Sequence, residues 1–144
     1  MTGFIGAESE TLPLMITSDV VHARRRVRER AMAVGLDLVS QTKIVTAASE
    51  LARNTVIYGG GGQLHIDVVT DDTSVRPRVG LRITFVDEGP GIADLDRAMT
   101  GGWSSGTGLG LGLPGSQRLV HEFDIASTPG QGTRITAVLW RRDP

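Results

Sequence analysis

The sequence predicts an α+β fold: a two-layer α/β sandwich whose helices cover one face of a mixed, mostly antiparallel sheet. Three observations carry that expectation. Two stretches with helical apolar spacing come first, two pairs of alternating segments follow, and glycines cluster where these segments meet. The 144 residues suit one domain spanning 1–144, because two independent cores would leave each half marginal.

Leu12 to Thr17 (LPLMIT) reads as a first strand, with Pro13 tolerable near its start or on an edge. Ser18-Asp19 offers a helix cap before VVHARRRVRERAMAVG, which ends at Gly35. Val20, Ala23, Val27, Ala31 and Val34 recur there at helical spacing. Asp37 can cap a second helix to about Tyr58, with Leu38, Val45, Ala48, Ala52 and Val56 as its core stripe. Gly59 to Gly62 stop it. Leu64 to Thr70 and Gly80 to Val86 alternate apolar with polar residues across the polar loop DDTSVRPR, as an antiparallel pair does. A short helix, Leu95 to Met99, precedes a glycine-rich segment. A further helix runs from Leu113 to Glu122, with Leu113, Gln117, Leu119 and Val120 near one side. Phe123 to Thr128 and Thr133 to Arg141 are the last strands, joined by Pro129-Gly130-Gln131-Gly132.

Composition removes several function classes. With no cysteine, a disulfide framework, a thiol nucleophile and a cysteine-ligated metal are excluded. Fifteen Lys+Arg against 16 Asp+Glu give no electrostatic case for nucleic acid, which calls for a basic excess. No apolar run approaches the roughly 20 residues that span a bilayer, and MTGFIGAESET lacks the basic-then-apolar pattern of a signal peptide. The expectation is a cytoplasmic protein that engages neither membrane nor nucleic acid. Glycine is the informative excess. There are 19, about twice the average frequency, and seven of them lie between Gly101 and Gly115.

Three constellations could carry chemistry. Glu50 and Asn54 are four apart on the second helix, so carboxylate and carboxamide stack on one face, apart from the core stripe. The carboxylate could accept a proton and the amide oxygen could ligate a hard cation such as Mg2+. Taken alone, the pair reads more readily as an ordinary polar helix face, since polar pairs at this spacing are common on helices. Asp87-Glu88-Gly89-Pro90-Gly91 ends a strand, where an aspartate can accept from an exocyclic amine while glycines let a ring lie close. Asp, Gly and Pro are also the usual residues of a tight turn. Gly106-Thr107-Gly108-Leu109-Gly110-Leu111-Gly112-Leu113 stands before a helix, where flexible backbone amides make a phosphate cradle. It is no Walker A loop, since no Gly-Lys-Ser/Thr follows, and no strand precedes it as a dinucleotide fingerprint requires.

The order of these three, closed by Gly130-Gln131-Gly132-Thr133, resembles the GHKL (Bergerat-fold) superfamily of ATPases and kinases. Glu50 and Asn54 match its N box, Asp87, Gly89 and Gly91 its G1 box, and Gly108 to Leu113 its G2 box. Gly130, Gly132 and Thr133 match its last glycine-threonine motif. The phrases AASELARNTVIYGGGG, VDEGPGI and GLGLGLPGSQRLVHEFDIAST resemble the small anti-sigma-type serine/threonine protein kinases, and most closely the RsbT-type switch kinases of the bacterial stressosome. Trp103 and the extended DDTSVRPR loop depart from the pattern.

The resemblance implies that Asp87 binds the adenine amine, with Thr133 supporting the ring directly or through water. Gly89 and Gly91 would let the base pack close. It implies that Asn54 ligates Mg2+ and that Gly108, Leu109, Gly110, Leu111 and Gly112 bind the phosphates of ATP within a lid at about 100–112. It also makes Glu50 the general base on an attacking serine hydroxyl. The implied substrate is a STAS-domain antagonist, and a freed kinase of this type activates a PP2C-type phosphatase. Close relatives also sequester sigma factors, so an ATP-dependent anti-sigma factor acting mainly by sequestration, with phosphorylation secondary, is the alternative expectation.

Other features are weaker. His22, His65 and His121 fit no ligand spacing. Ser104 and Ser105 lack the Gly-x-Ser-x-Gly elbow of a hydrolase. Arg24, Arg25, Arg26, Arg28 and Arg30 form a basic stretch, either a solvated face or a docking surface for an acidic partner.

Overall fold

Alternating apolar side chains put one face of a sheet against three helices. The computed structural model describes residues 2–4, 9–73, 75–92, 99 and 112–142. In chain order these form β1 (Thr2–Phe4), β2 (Glu10–Leu14), α1 (Thr17–Ala33), α2 (Leu38–Ile57), β3 (Gly62–Asp71), β4 (Arg78–Asp87), α3 (Gly112–Leu119), β5 (Glu122–Thr128) and β6 (Gly132–Trp140). The sheet order is β1-β3-β4-β6-β5, and β2 also pairs with β3. β1 lies against Val69 to Asp71 and β2 against Gly62 to Ile66, so the two short strands share one edge of β3 end to end.

Every described strand pair is antiparallel, so the mixed component of the expected sheet is absent among them. The connection through α3 does bring β5 back in the direction of β4, but β6 hydrogen-bonds between the two.

Register builds the core in rows. Leu64 faces Phe85, which faces Ile135; Ile66 faces Ile83, which faces Ala137; Val68 faces Leu81, which faces Leu139. All are buried, together with Ala23, Val27 and Ala31 of α1 and Ile44, Ala48 and Leu51 of α2. Burying a side chain such as Phe85 contributes about 1.5–3 kcal/mol, so the rows dominate the sandwich's stability. The opposite face pairs polar residues, His65 with Thr84 and Asp67 with Arg82, except at one end. There Trp140 packs on Val69 and Val138 across Gly80, with the Arg78 guanidinium 4.3 Å from the indole centroid.

The helix boundaries follow from local chemistry. β2 ends at Leu14 and α1 begins at Thr17, earlier than the expected strand over Leu12 to Thr17 and cap at Ser18-Asp19. The reason is Asp19, whose carboxylate accepts the N–H groups of Met15 and Ile16 at 2.8 and 3.1 Å from inside the first turn. At the other end, Gly35 has φ +88°, and the N–H groups of Gly35 and Leu36 reach the carbonyls of Met32 and Ala31. Asp37 caps α2 as expected, its carboxylate accepting the Ser40 N–H at 2.7 Å. In the expected stripe of α2, Val45, Ala48 and Ala52 are buried, whereas Leu38 is 71% exposed. Leu38 sits in the first turn, before the helix reaches the sheet, and Ile44, Ala47 and Leu51 take the core positions instead. On α3, Leu113 and Ser116 are buried and Gln117 is exposed, so Gln117 does not share the inner side. The expected helix over Leu95 to Met99 falls outside the described residues apart from Met99.

Candidate functional site

One row of the sheet's inner face ends in polar rather than apolar side chains. Asp87, the last residue of β4, pairs in register with Gly62 of β3 and Thr133 of β6, and Thr133 pairs with Ser127 of β5. The next row inward is Leu64, Phe85, Ile135 and Ile125. Because side chains alternate with a period of two, Asp87, Thr133 and Ser127 point to the same side as that apolar row. The site is therefore the open end of the core.

A cleft of about 160 Å3 occupies this end, lined by Asn54, Thr55, Tyr58 and Gly59 from α2 and its exit, and by Phe85, Asp87, Pro90, Gly91 and Ile92. Leu113 of α3 with Thr133 and Ile135 of β6 complete it. Its floor is apolar, with few polar groups converging on it, the usual make-up of a small-molecule site.

Asp87 is the central polar group. Burial pushes its carboxyl above the usual aspartate range, and the backbone N–H groups of Gly89 and Thr133 pull the other way. The Gly89 N–H lies 2.9 Å from Oδ1. Close backbone packing holds this end in shape. A Cβ on Gly89 would strike the Gly59 carbonyl, and one on Gly91, at φ +74°, would strike that of Thr128. Both glycines of the Asp87-Glu88-Gly89-Pro90-Gly91 turn are thus required by neighbouring protein backbone, and Gly91 also lines the cleft.

Asn54 lines the cleft, and its Nδ2 is buried with no hydrogen-bond partner among the described residues. Rotation of the amide presents an oxygen at the same place, so the group suits a hard cation or a ligand acceptor. No cluster of three or more His, Asp or Glu able to hold a metal occurs among the described residues. A cation beside Asn54 would thus complete its coordination with water and ligand oxygens, as Mg2+ commonly does.

Glu50 sits one turn earlier on α2, outside the cleft wall, and its carboxylate meets Arg53 Nη1 at 3.4 Å on a partly exposed surface. Gly108, Leu109, Gly110 and Leu111, and with them the expected lid up to 111, lie outside the described residues. Gly112 opens α3 and places Leu113 in the cleft.

The sequence reading missed Tyr58, the apolar wall of Phe85, Ile92 and Ile135, and above all Ser127. Its Oγ accepts the Ile92 N–H at 2.7 Å and meets Thr133 Oγ1 at 2.8 Å. The signal was present: a short Pro-Gly turn between two strands sets residue 127 opposite residue 133.

The basic stretch of α1 divides in two. Arg26 grips Glu10 with Nε and Nη2 at 2.7 and 2.8 Å, and Arg30 Nη1 adds a third contact at 3.0 Å. These two fasten α1 to β2. Arg24, Arg25 and Arg28 are exposed.

Residues 39–143 match the family described as histidine kinase-, DNA gyrase B-, and HSP90-like ATPases. The chain is similar to the serine/threonine-protein kinase RsbT of Bacillus subtilis, at 45% identity over 90% of this chain and 94% of that protein. It is also similar to an anti-sigma F factor of Thermoanaerobacter sp., at 32% identity over 64% of each chain. An anti-sigma F factor of Pasteuria penetrans is 30% identical over 76% of each chain.

Proposed function

Because the chain belongs to the family of histidine kinase-, DNA gyrase B-, and HSP90-like ATPases, we propose that it is an ATP-dependent protein serine/threonine kinase, acting on a separate small protein. The observation that carries this reading is the pairing of Asp87 with Thr133 at the mouth of an apolar cleft. An ionised carboxylate only accepts hydrogen bonds, so it selects an amine, and the apolar floor takes a flat ring.

In this reading Asp87 accepts from the adenine amine, Thr133 supports the ring, and Phe85, Ile92 and Ile135 sandwich the base. Asn54 holds Mg2+, which when bound neutralises charge on the phosphates. Gly108, Leu109, Gly110, Leu111 and Gly112 give backbone amides to the phosphates within a lid at about 100–112 of a single domain, 1–144. Glu50 takes the proton of the attacking hydroxyl as its oxygen bonds to the γ-phosphorus and the bond to ADP breaks. Arg53, its ion-pair neighbour, must release it or hold it to one side.

The protein substrate is a STAS-domain antagonist in a bacterial partner-switching pathway, and the released kinase activates a PP2C-type phosphatase. Arg24, Arg25 and Arg28 offer such partners an exposed basic face. The site would operate in the cytoplasm; among the described residues no helix is long and apolar enough to cross a membrane. Sequestration of a sigma factor is the second reading, favoured by the similarity to anti-sigma F factors. The higher identity and fuller coverage of the kinase relative support phosphotransfer over it.

The test is incubation with γ-labelled ATP, alone and with a STAS-domain protein from a neighbouring gene. Acid-stable label on the partner alone is the expected result. Acid-labile label on this chain, or tight sigma-factor capture without transfer, would overturn the proposal.

A further inference from the structure

Ser127 has no assigned role, yet it bonds to two residues that line the cleft, Ile92 and Thr133. Its Oγ accepts the Ile92 N–H at 2.7 Å, so its one proton must go elsewhere. Two acceptors are within reach, Thr133 Oγ1 at 2.8 Å and the Gly132 carbonyl at 3.2 Å. Either oxygen of the shorter contact could be its donor. A Thr133 hydroxyl that accepts from Ser127 keeps its own proton for the cleft that it lines.

We infer that Ser127 is a positioning residue that turns the Thr133 hydroxyl into a donor and thereby sets base selectivity. The acceptor-only Asp87 and the donor Thr133 then stand in register beside each other. That acceptor-donor pair complements an amine next to an unprotonated ring nitrogen, the edge of a 6-aminopurine. A 6-oxopurine presents the inverse, a carbonyl next to a ring N–H, and meets a carboxylate and a hydroxyl proton in the wrong places. This inference rests on the proposed ATP site and adds to it a residue outside the family motifs.

The experiment compares ATP with ITP by competition calorimetry on wild-type protein, Ser127→Ala and Ser127→Thr, with melting curves to establish folding. Ser127→Ala should weaken ATP about tenfold and leave ITP nearly unchanged, compressing the selectivity ratio by the same factor. Ser127→Thr, which keeps the hydroxyl, should restore the ratio. Equal weakening of both nucleotides would mean that Ser127 only braces the Ile92 wall, and it would overturn the inference, as would an unchanged ratio. A measurement that needs no variant uses 1-deaza-ATP, which has the amine but lacks the ring acceptor. It should bind wild-type protein about tenfold more weakly than ATP, and equal binding would overturn the inference. If wild-type protein binds no ATP at all, the proposed function fails first and takes this inference with it.

Discussion

Asp87 and Gly59 compete for one small volume: a Cβ added at residue 59 would fall 2.5 Å from the Asp87 carboxyl carbon and 2.6 Å from Oδ2. The aspartate cannot retreat freely, since its backbone belongs to β4 and its Oδ1 accepts the Gly89 N–H. The exit of α2 therefore fixes where the carboxylate points.

Gly59→Ala should displace the carboxylate and weaken nucleotide binding about 10²-fold, the scale of loss for a misplacement near 1 Å. Circular dichroism should show an intact fold, because the substitution lies beyond the last turn of α2. Wild-type ATP affinity by calorimetry in this variant would mean that Asp87 is not the base-binding group.

Asp87→Asn should abolish ATP binding without lowering stability at neutral pH. Burial raises the Asp87 carboxyl above its unfolded value, so the stabilisation linked to its proton is complete below that value. It is lost as pH rises through the folded value. Wild-type protein therefore carries an ionisation cost at pH 7 that the variant escapes. Melting curves at pH 7 and in mild acid check this: the variant's relative advantage should shrink on acidification.

Glu50→Gln should keep nucleotide affinity and slow phosphotransfer by about 10²–10⁴-fold, the usual cost of losing a general base. Asn54→Ala should instead lose the Mg2+-dependent part of ATP affinity. Single-turnover assays with labelled ATP separate the two. Undiminished transfer by Glu50→Gln would remove that residue from the chemistry.

Glu10→Gln should destabilise the fold by about 1–2 kcal/mol, since it strips charge from a carboxylate bonded by two arginines while water still reaches part of the cluster. Hydrogen bonding by Arg26, then Arg30, holds the Glu10 carboxyl below the ordinary glutamate range. Its contribution is therefore present above the unfolded value and lost as pH falls through the folded one. Urea denaturation of wild type and variant should differ at pH 7 and converge in acid.

The elements legible in the sequence were those with long period or explicit punctuation. β3, β4 and β6 alternate over nine or ten residues, and Asp37, Gly35 and Pro129-Gly130 mark their neighbours' ends. β1 escaped notice because three residues carry no periodicity. Leu38 was misplaced because helical spacing says which residues share a face but not where along the helix the sheet begins. Asp87, Asn54 and Thr133 were legible as motif residues. Gly59 and Ser127 were not, because their importance lies in a close approach and in a cross-strand hydroxyl pair, both products of register.

That register makes the hydrophobic core a ruler for the recognition site. Asp87, Thr133 and Ser127 continue the row made by Phe85, Ile135 and Ile125, two residues along each strand. A one-residue slip of β6 would send Ile135 and Thr133 to the wrong face together, so a strand mispaired at the core is also blind at the cleft. Evolution cannot tune the two independently. Phe85 and Ile135 belong to the core and to the cleft lining at once, so a change of bulk at either alters packing and recognition together.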